Sequence, residues 1–203
     1  MNQPPESEYT QAEAYAPMEA AVAESIAALP DFPGFGSRSW RENPCSHNGV
    51  DDPDYTNIEI TYDFSEEISQ SDLLREDYVA ALREFWKSQG YEITDDEERQ
   101  RETRVDRSLA AERKDGISLW YAVGRYAGLI INSGCVPVSD PGEIEYIPPV
   151  GGIEPGSDKD NVDRYFPDGI PTDQAAAIDP FADGQAITAL IPFQSPQTYD
   201  DLL

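Results

Sequence analysis

The order of hydrophobic periods between residues 58 and 132 indicates one folded unit built from strands and a helix. Apolar and polar side chains alternate from Ile58 to Phe64, which is the period of a strand with one buried face. A helical period follows from Ser71, a helix-start residue, to Gly90, where a left-handed cap would end it. Further strand periods, one of them weak, lie at Tyr91–Thr94, Val105–Arg113, Ile117–Val123 and Ala127–Asn132. We therefore predict an α+β fold with one main helix packed on an antiparallel sheet of four to five strands.

The sequence predicts the form of two connections within this unit. Lys114-Asp115-Gly116 lies between two strand periods and predicts a tight hairpin turn. The segment from Asp95 to Arg104 consists mostly of charged residues, so we expect it to be an exposed excursion rather than part of the sheet.

A second helix is predicted near the N-terminus, over Ala12 to Leu29. Its apolar face contains Ala14, Met18, Ala21, Val22, Ile26 and Leu29, and three glutamates are expected away from it, Glu13, Glu19 and Glu24. Because proline is tolerated only in the first turn of a helix, Pro17 predicts that the regular helix begins near Ala16.

Charge and proline content divide the chain into three stretches. Residues 1–40 carry six acids and one base and are predicted to form the N-terminal helix and a connector. Residues 41–136 carry 21 acids and 11 bases and form the predicted α+β domain. Residues 137–203 carry 13 acids, two bases and ten of the 17 prolines, so we predict a long Pro/Gly-rich acidic extension. Its large apolar side chains are unlike a pure linker, and we expect it to pack on the domain or on a partner.

The net charge of −26 excludes several classes of partner. A nucleic-acid binder needs a basic face that displaces counterions from phosphates, so we expect no nucleic-acid partner. Anionic lipid is disfavoured for the same reason. No run of residues approaches the roughly 20 apolar positions of a transmembrane helix, so no membrane span is expected.

The two cysteines are too few for a disulfide framework or, with one histidine, for a zinc site. Cys45 and Cys135 both lie in polar, turn-rich surroundings, which are unlike the surroundings of a buried core thiol. A disulfide between them is the interpretation that we favour, and it indicates an oxidising, extracellular compartment. Two buried thiols and one reactive thiol are the alternatives. The first residues lack the basic start and apolar stretch of a signal peptide, so the alternatives for the compartment are a cytoplasmic chain and a signal removed before Met1.

Three segments of the middle stretch carry a recognisable pattern, namely Leu82–Ile93, with its Trp and Gln-Gly-Tyr turn, Asp115–Tyr121 and Ser133–Pro137. Together they resemble a group of uncharacterised actinobacterial secreted lipoproteins, and the likeness extends over roughly residues 38–138. The resemblance implies a cell-envelope α+β domain in which an early Pro-Cys is paired with a late Ser-Gly-Cys. It also implies a lipid anchor on an N-terminus removed before Met1, although this chain has no lipobox cysteine. It brings no catalytic residues.

Candidate site residues are few. Trp86 and Trp120 are candidate contact aromatics if either is exposed, because Trp120 lies opposite the apolar face of its strand and Trp86 lies near a helix end. Core packing or cover by the C-terminal extension is the interpretation that we favour for them. Three aspartates, Asp158, Asp160 and Asp163, form a weak calcium candidate without the register of a calcium-binding loop. No motif for a nucleotide, a catalytic triad or a catalytic metal is present, so we expect no cofactor and no catalytic residues.

These observations predict a non-enzymatic, extracytoplasmic binding module whose partner is an unknown protein or cell-wall component. An acidic inhibitor, an immunity-type protein or a nucleic-acid mimic is the first alternative, because an acidic surface is steered toward a basic cleft. The folded middle holds only −10 of the total charge, which weakens this alternative. An enzyme with an unrecognised acidic site is the second.

Overall fold

The predicted α+β class is confirmed by a computed structural model, which describes residues 7–47 and 49–170. These residues contain two α-helices, α1 (Gln11–Ala27) and α2 (Tyr78–Ser88), the second preceded by a π-helical turn at Leu73–Asp77. They also form seven strands rather than the four to five predicted. The strands are β1 (Ser37–His47), β2 (Val50–Asp63), β3 (Glu92–Gln100), β4 (Val105–Glu112), β5 (Ser118–Val123), β6 (Ala127–Pro137) and β7 (Asp160–Asn161).

All seven strands belong to one sheet, in the order β3-β4-β5-β6-β2-β1-β7. Neighbouring strands are antiparallel except β1 and β7, which are parallel. Helix α1 packs against β2 and β6, and α2 packs against β3 and β4. The two helices are joined at the buried Trp86, whose Nε1–H donates to Ser25 Oγ at 3.1 Å. Both helices therefore cover the same face of the sheet.

The core lies between this face and the helices. Alternate side chains of the central strands point into it, because successive residues of a strand face opposite sides. Ile60 on β2, Leu119 on β5 and Ile131 on β6 lie side by side across the sheet and are fully buried. The Lys114–Gly116 hairpin turn is confirmed, with the Gly116 N–H donating to the Arg113 carbonyl and Gly116 at a positive φ of 84°.

Helix α1 departs from its prediction in two ways. It begins at Gln11, so Pro17 lies within the helix and the predicted start near Ala16 is wrong. The reason is the cap at Thr10, whose backbone N–H and hydroxyl both donate to Glu13 Oε2 at 2.9 Å. Glu19, predicted to point away from the core, is instead buried.

The charged segment from Asp95 to Arg104 is mostly exposed, as predicted, but the prediction that it is an excursion from the sheet is wrong for most of it. Residues 95–100 continue β3, which pairs with β4 up to Gln100 opposite Val105. Because β3 is an edge strand and its residues 96–100 are exposed, charged side chains fit it there without an apolar alternation.

The flanking stretches share the core of the middle stretch. Strand β1 begins at Ser37 and crosses the charge-based boundary at residue 40. Residues 138–170 lie along the fold and contribute buried side chains, which are Ile144, Tyr146, Ile153 and Val162. Residues 171–203 of the predicted extension lie outside the described residues. Neither helix in the described part of the chain has the length and apolar character needed to cross a membrane.

The predicted Cys45–Cys135 disulfide is confirmed, with 5.9 Å between the two Cα atoms. It joins β1 to β6, which are not neighbours because β2 lies between them. The register of β1 on β2 shifts between Pro44 and Cys45, at the point where the bridge forms. The alternatives of two free buried thiols or one reactive thiol are thereby excluded.

Candidate binding surface on the open face of the sheet

The face of the sheet opposite the helices carries a short apolar row around Trp120. Strand pairing places Ala110 of β4 and Ile130 of β6 on either side of Trp120 of β5. Trp120 is 43% exposed, in contrast to its fully buried strand neighbours Leu119 and Tyr121. We call this side of the sheet the open face, because the described residues place no helix on it.

A cavity of about 650 Å³ lies over this row. Small and apolar groups form its floor around Trp120, and charged groups from β3, β4 and the turn between them form its rim. We call it the Trp120 groove, and its main lining residues are Asp95, Glu97, Arg99, Arg101, Asp106, Arg107, Ser108, Ala110, Trp120 and Ala122. Its volume falls within the roughly 300–1,000 Å³ that is usual for small-molecule sites.

Hydrogen bonds fix the Trp120 indole in one orientation. Its Nε1–H donates to the Ser108 hydroxyl oxygen at 2.8 Å, and that hydroxyl in turn donates to the Asp95 carboxylate. The indole therefore reaches from β5 across to β4. Ala110 and Ala122 are the small neighbours that leave room for it, since Ala110 pairs with Trp120 and Ala122 pairs with Ser108. The result is an exposed, oriented aromatic surface within a concave site.

The charges on the rim compensate one another. Arg99 pairs with Glu97 at 2.6 Å, and Asp106 accepts from Arg101 at 2.7 Å and from Arg104 at 2.6 Å. Hydrogen bonds from Arg101 and Arg104 hold the pKa of Asp106 below its usual value. Three acids and three arginines line the groove, so it is close to neutral within a strongly acidic chain.

The other concentration of polar chemistry is a buried ionic cluster around Arg38. The guanidinium is 0% exposed and bonds two buried carboxylates, Glu19 through Nη1 at 2.8 Å and Asp160 through Nε at 2.8 Å. It also donates to the Ile147 carbonyl at 2.6 Å. The cluster joins α1, β1, β7 and the segment before β7.

Aromatic groups complete this cluster. Trp40 Nε1–H and the Tyr62 hydroxyl donate to the two oxygens of Glu19 at 2.9 and 2.6 Å. Burial raises the pKa of Glu19, although Arg38 and its other donors act in the opposite direction. Burial alone lowers the pKa of Arg38, but the charges of Glu19 and Asp160 raise it above its usual value. With every charge paired and enclosed, the cluster is an internal support and not a ligand site.

Of the two tryptophans proposed as contact residues, only Trp120 reaches the surface. Trp86 is fully buried, because the α2 face that carries it packs between the sheet and α1. It belongs to the core, which is the alternative that we favour from the sequence, and Trp86 is not a surface contact.

The calcium candidate formed by Asp158, Asp160 and Asp163 is not assembled. Asp160 turns inward, where Oδ1 accepts from Arg38 and Oδ2 accepts from the Tyr146 hydroxyl at 2.6 Å. Asp158 and Asp163 are exposed. Across residues 7–47 and 49–170, no group of three or more His, Cys, Asp or Glu side chains is arranged to hold a metal ion.

The sequence analysis identifies neither the members of the buried Arg38 cluster nor the residues that hold Trp120. Arg38 had one signal, because it is the only base in the first 40 residues and lies two positions before Trp40, as on one face of a strand. Ser108 and Asp95 had none, because only the register of three strands brings them to Trp120.

Comparisons of the chain with protein-family models, with curated proteins and with solved structures find no match.

Proposed function

We propose that this chain is a non-enzymatic, extracytoplasmic binding module that engages its ligand in the Trp120 groove. The observation that carries the proposal is Trp120 itself, exposed and held by Ser108 in a concave part of the open face. Large aromatic side chains that are already oriented lose little conformational entropy on binding, so they are favoured as contact anchors.

The disulfide supports an oxidising compartment as the site of action. A bridge such as Cys45–Cys135 persists outside the cytoplasm and is reduced within it. The resemblance to secreted lipoproteins agrees with a cell-envelope location and with a protein or cell-wall component as partner. On this proposal the open face would be turned toward that partner.

An NMR fragment screen tests the proposed binding site. The full chain is labelled with ¹⁵N and mixed with a chemically diverse fragment library, and the three tryptophan indole N–H signals are followed. We expect the fragments that bind to shift the indole signal of Trp120, together with the amides of Ala110 and Ala122. The indole signals of Trp40 and Trp86 serve as internal references, because both side chains are buried.

A matched variant distinguishes binding in the Trp120 groove from nonspecific binding to any exposed aromatic side chain. Tyr126 is 49% exposed and lies in the β5–β6 turn, outside the groove lining. Tyr126→Ala removes its aromatic ring and keeps the backbone carbonyl that accepts from Gly124, a lining residue. Trp120→Ala should abolish the fragment shifts, whereas Tyr126→Ala should leave them unchanged. Fragments that gather elsewhere on the protein, or that bind Trp120→Ala equally well, would overturn the proposal.

A further inference from the structure

The charge balance of the Trp120 groove restricts the ligands that it can favour. The three lining acids and three lining arginines give it no net charge, and Glu97–Arg99 and Asp106–Arg101 are already paired. For a cationic ligand the lining arginines oppose the attraction of the acidic chain, and for an anionic ligand the net charge of −26 opposes the attraction of those arginines. Neither kind of ion gains the complementary potential that charged partners use. A neutral ligand avoids both costs.

The rim offers many hydrogen bonds to such a ligand. A guanidinium has five N–H donors and a carboxylate has about four acceptor positions, so the ion pairs of the rim leave capacity unused. Arg99 and Glu97 are both exposed, and they stand side by side along β3. Adjacent donors and acceptors of this kind match vicinal hydroxyl groups, each of which both donates and accepts.

The floor offers an apolar plane beside those polar groups. Trp120 is fixed through Ser108, so the exposed indole surface has one orientation. Ala110 on β4 and Ala122 on β5 are small side chains that leave space over the strands beside the indole. A flat ligand with one apolar face and a polar edge would cover the indole while its edge reaches the rim.

We infer that the Trp120 groove binds a neutral saccharide, with a sugar ring stacked on Trp120 and its hydroxyl groups bonded by the Asp95, Glu97 and Arg99 side of the rim. A pyranose ring joins the required properties, because its C–H face is apolar, its edge carries vicinal hydroxyls and it has no charge. This inference rests on the proposed function and names the ligand class of the same groove.

The test uses the full chain and five neutral probes, namely malto-, cello-, laminari-, manno- and xylohexaose. An oligogalacturonate of the same length is the charged comparison. We expect at least one neutral hexasaccharide to shift the Trp120 indole N–H signal and to saturate at millimolar concentration or below. Trp120→Ala should weaken that binding by about tenfold or more, and Tyr126→Ala should leave it within about twofold.

Two further measurements distinguish direct stacking on Trp120 from a purely structural role of that residue: the salt dependence of the affinity and the affinity of a conservative variant. Affinity for the neutral probe should stay constant as the salt concentration rises, because no net charge is screened. Trp120→Phe should retain part of the affinity, since it keeps an aromatic face while losing the bond to Ser108.

Two results would overturn the saccharide inference: no neutral hexasaccharide shifts the Trp120 signal, or the oligogalacturonate alone does so with salt-sensitive affinity. If fragments still bind the groove in either case, the proposed function stands and only the ligand class is wrong. If neither fragments nor saccharides bind the groove, both proposals fail.

Discussion

Among single residues, Arg38 has the most demanding environment in the described chain. It is an ionised side chain without solvent contact, held between Glu19 and Asp160 and lying over the Trp40 ring at 5.0 Å. The desolvation cost of such a group is offset only while its partners are present. The stability of the surrounding core therefore depends on the complete cluster and not on any one pair.

Arg38→Met is expected to lower the free energy of unfolding by about 3–5 kcal/mol, because it leaves two buried carboxylates without a cation. Arg41→Met is the matched control: Arg41 lies on the same strand but is exposed, so its effect should stay within about 0.5 kcal/mol. Urea unfolding followed by circular dichroism measures both.

A triple variant distinguishes lost charge compensation from lost packing. Adding Glu19→Gln and Asp160→Asn to Arg38→Met removes the orphaned charges, and we expect it to restore at least half of the loss. A cost below about 1 kcal/mol for Arg38→Met would contradict this account of the cluster.

The exposure of Trp120 could be predicted from the sequence, whereas the burial of Glu19 could not. The exposure of Trp120 follows from strand parity, because Leu119 and Tyr121 define the buried face. Glu19 was assigned to the wrong side because it lies at the edge of the apolar stripe of α1, beside Tyr15 and Val22. Whether an edge position is buried depends on a distant cation such as Arg38, which helical periodicity does not contain.

At the scale of elements, a bidentate ion pair joins the acidic edge strand β3 to α2. Arg83 of α2 donates from Nε and Nη2 to the two oxygens of Asp96 at 2.6 and 2.7 Å. The hydrogen bonds from Arg83 hold the pKa of Asp96 below its ordinary value of 3.8. The two side chains are partly exposed, so the pair is expected to contribute only about 0.2–1 kcal/mol.

The sign of the pH dependence follows from that lowered pKa. A carboxyl group with a lower pKa in the folded state stabilises the fold above its unfolded pKa, and the contribution is lost as pH falls through the folded value. The α2–β3 contact should therefore be unchanged between neutral pH and about 5 and should weaken only below 3.8. A ¹³C NMR titration of the Asp96 carboxyl carbon should give a midpoint below 3.8.

Two variants identify the source of the shift. Arg83→Gln should raise the midpoint of Asp96, because the hydrogen bonds are lost. Lys87→Gln should raise it less, since Lys87 acts on Asp96 only through its charge. A midpoint that Arg83→Gln leaves unchanged would refute the assignment.

Elements with an apolar face were predictable, and those without one were not. Ile117–Val123 and the Ser71–Gly90 helix have clear periods, and both form within a residue or two of their predicted bounds, the helix with a π-helical first turn. Strand β1 and the part of β3 after Thr94 mix Arg, Glu, Asn and Asp with few large apolar groups, so they have no strand period. They form because β2 and β4 offer them backbone hydrogen bonds.

For the whole molecule, the net charge of −26 is a sum over the chain and is not concentrated in one segment. Residues 1–40, 41–136 and 137–203 carry net charges of −5, −10 and −11, yet α1 and residues 138–170 supply part of the core. Within the described residues most acids are exposed and lie on several elements, whereas the charges that line the Trp120 groove balance. This arrangement fits a binding site that works within an acidic surface more closely than it fits an acidic mimic.

The disulfide is the covalent constraint on this whole arrangement. It joins residues 90 positions apart, and a loop of that length gives roughly 4.5 kcal/mol of stabilisation in the chain-entropy account, before any native strain is subtracted. We therefore expect the Cys45→Ser/Cys135→Ser variant to lose about 2–4 kcal/mol in the free energy of unfolding. Urea unfolding of the oxidised protein and of the variant measures the difference.

Reduction provides the matched control, because it opens the same loop without changing the sequence. The reduced wild-type chain should unfold at nearly the urea concentration of the double serine variant, and non-reducing mass spectrometry should find no free thiol before reduction. The Trp120 indole N–H signal should keep its position in the folded variant, since the bridge lies on β1 and β6 and outside the groove lining. A loss below about 1 kcal/mol would show that contacts between β1, β2 and β6 hold the sheet without the bridge, and the disulfide would then lose its role as the main constraint on the unfolded chain.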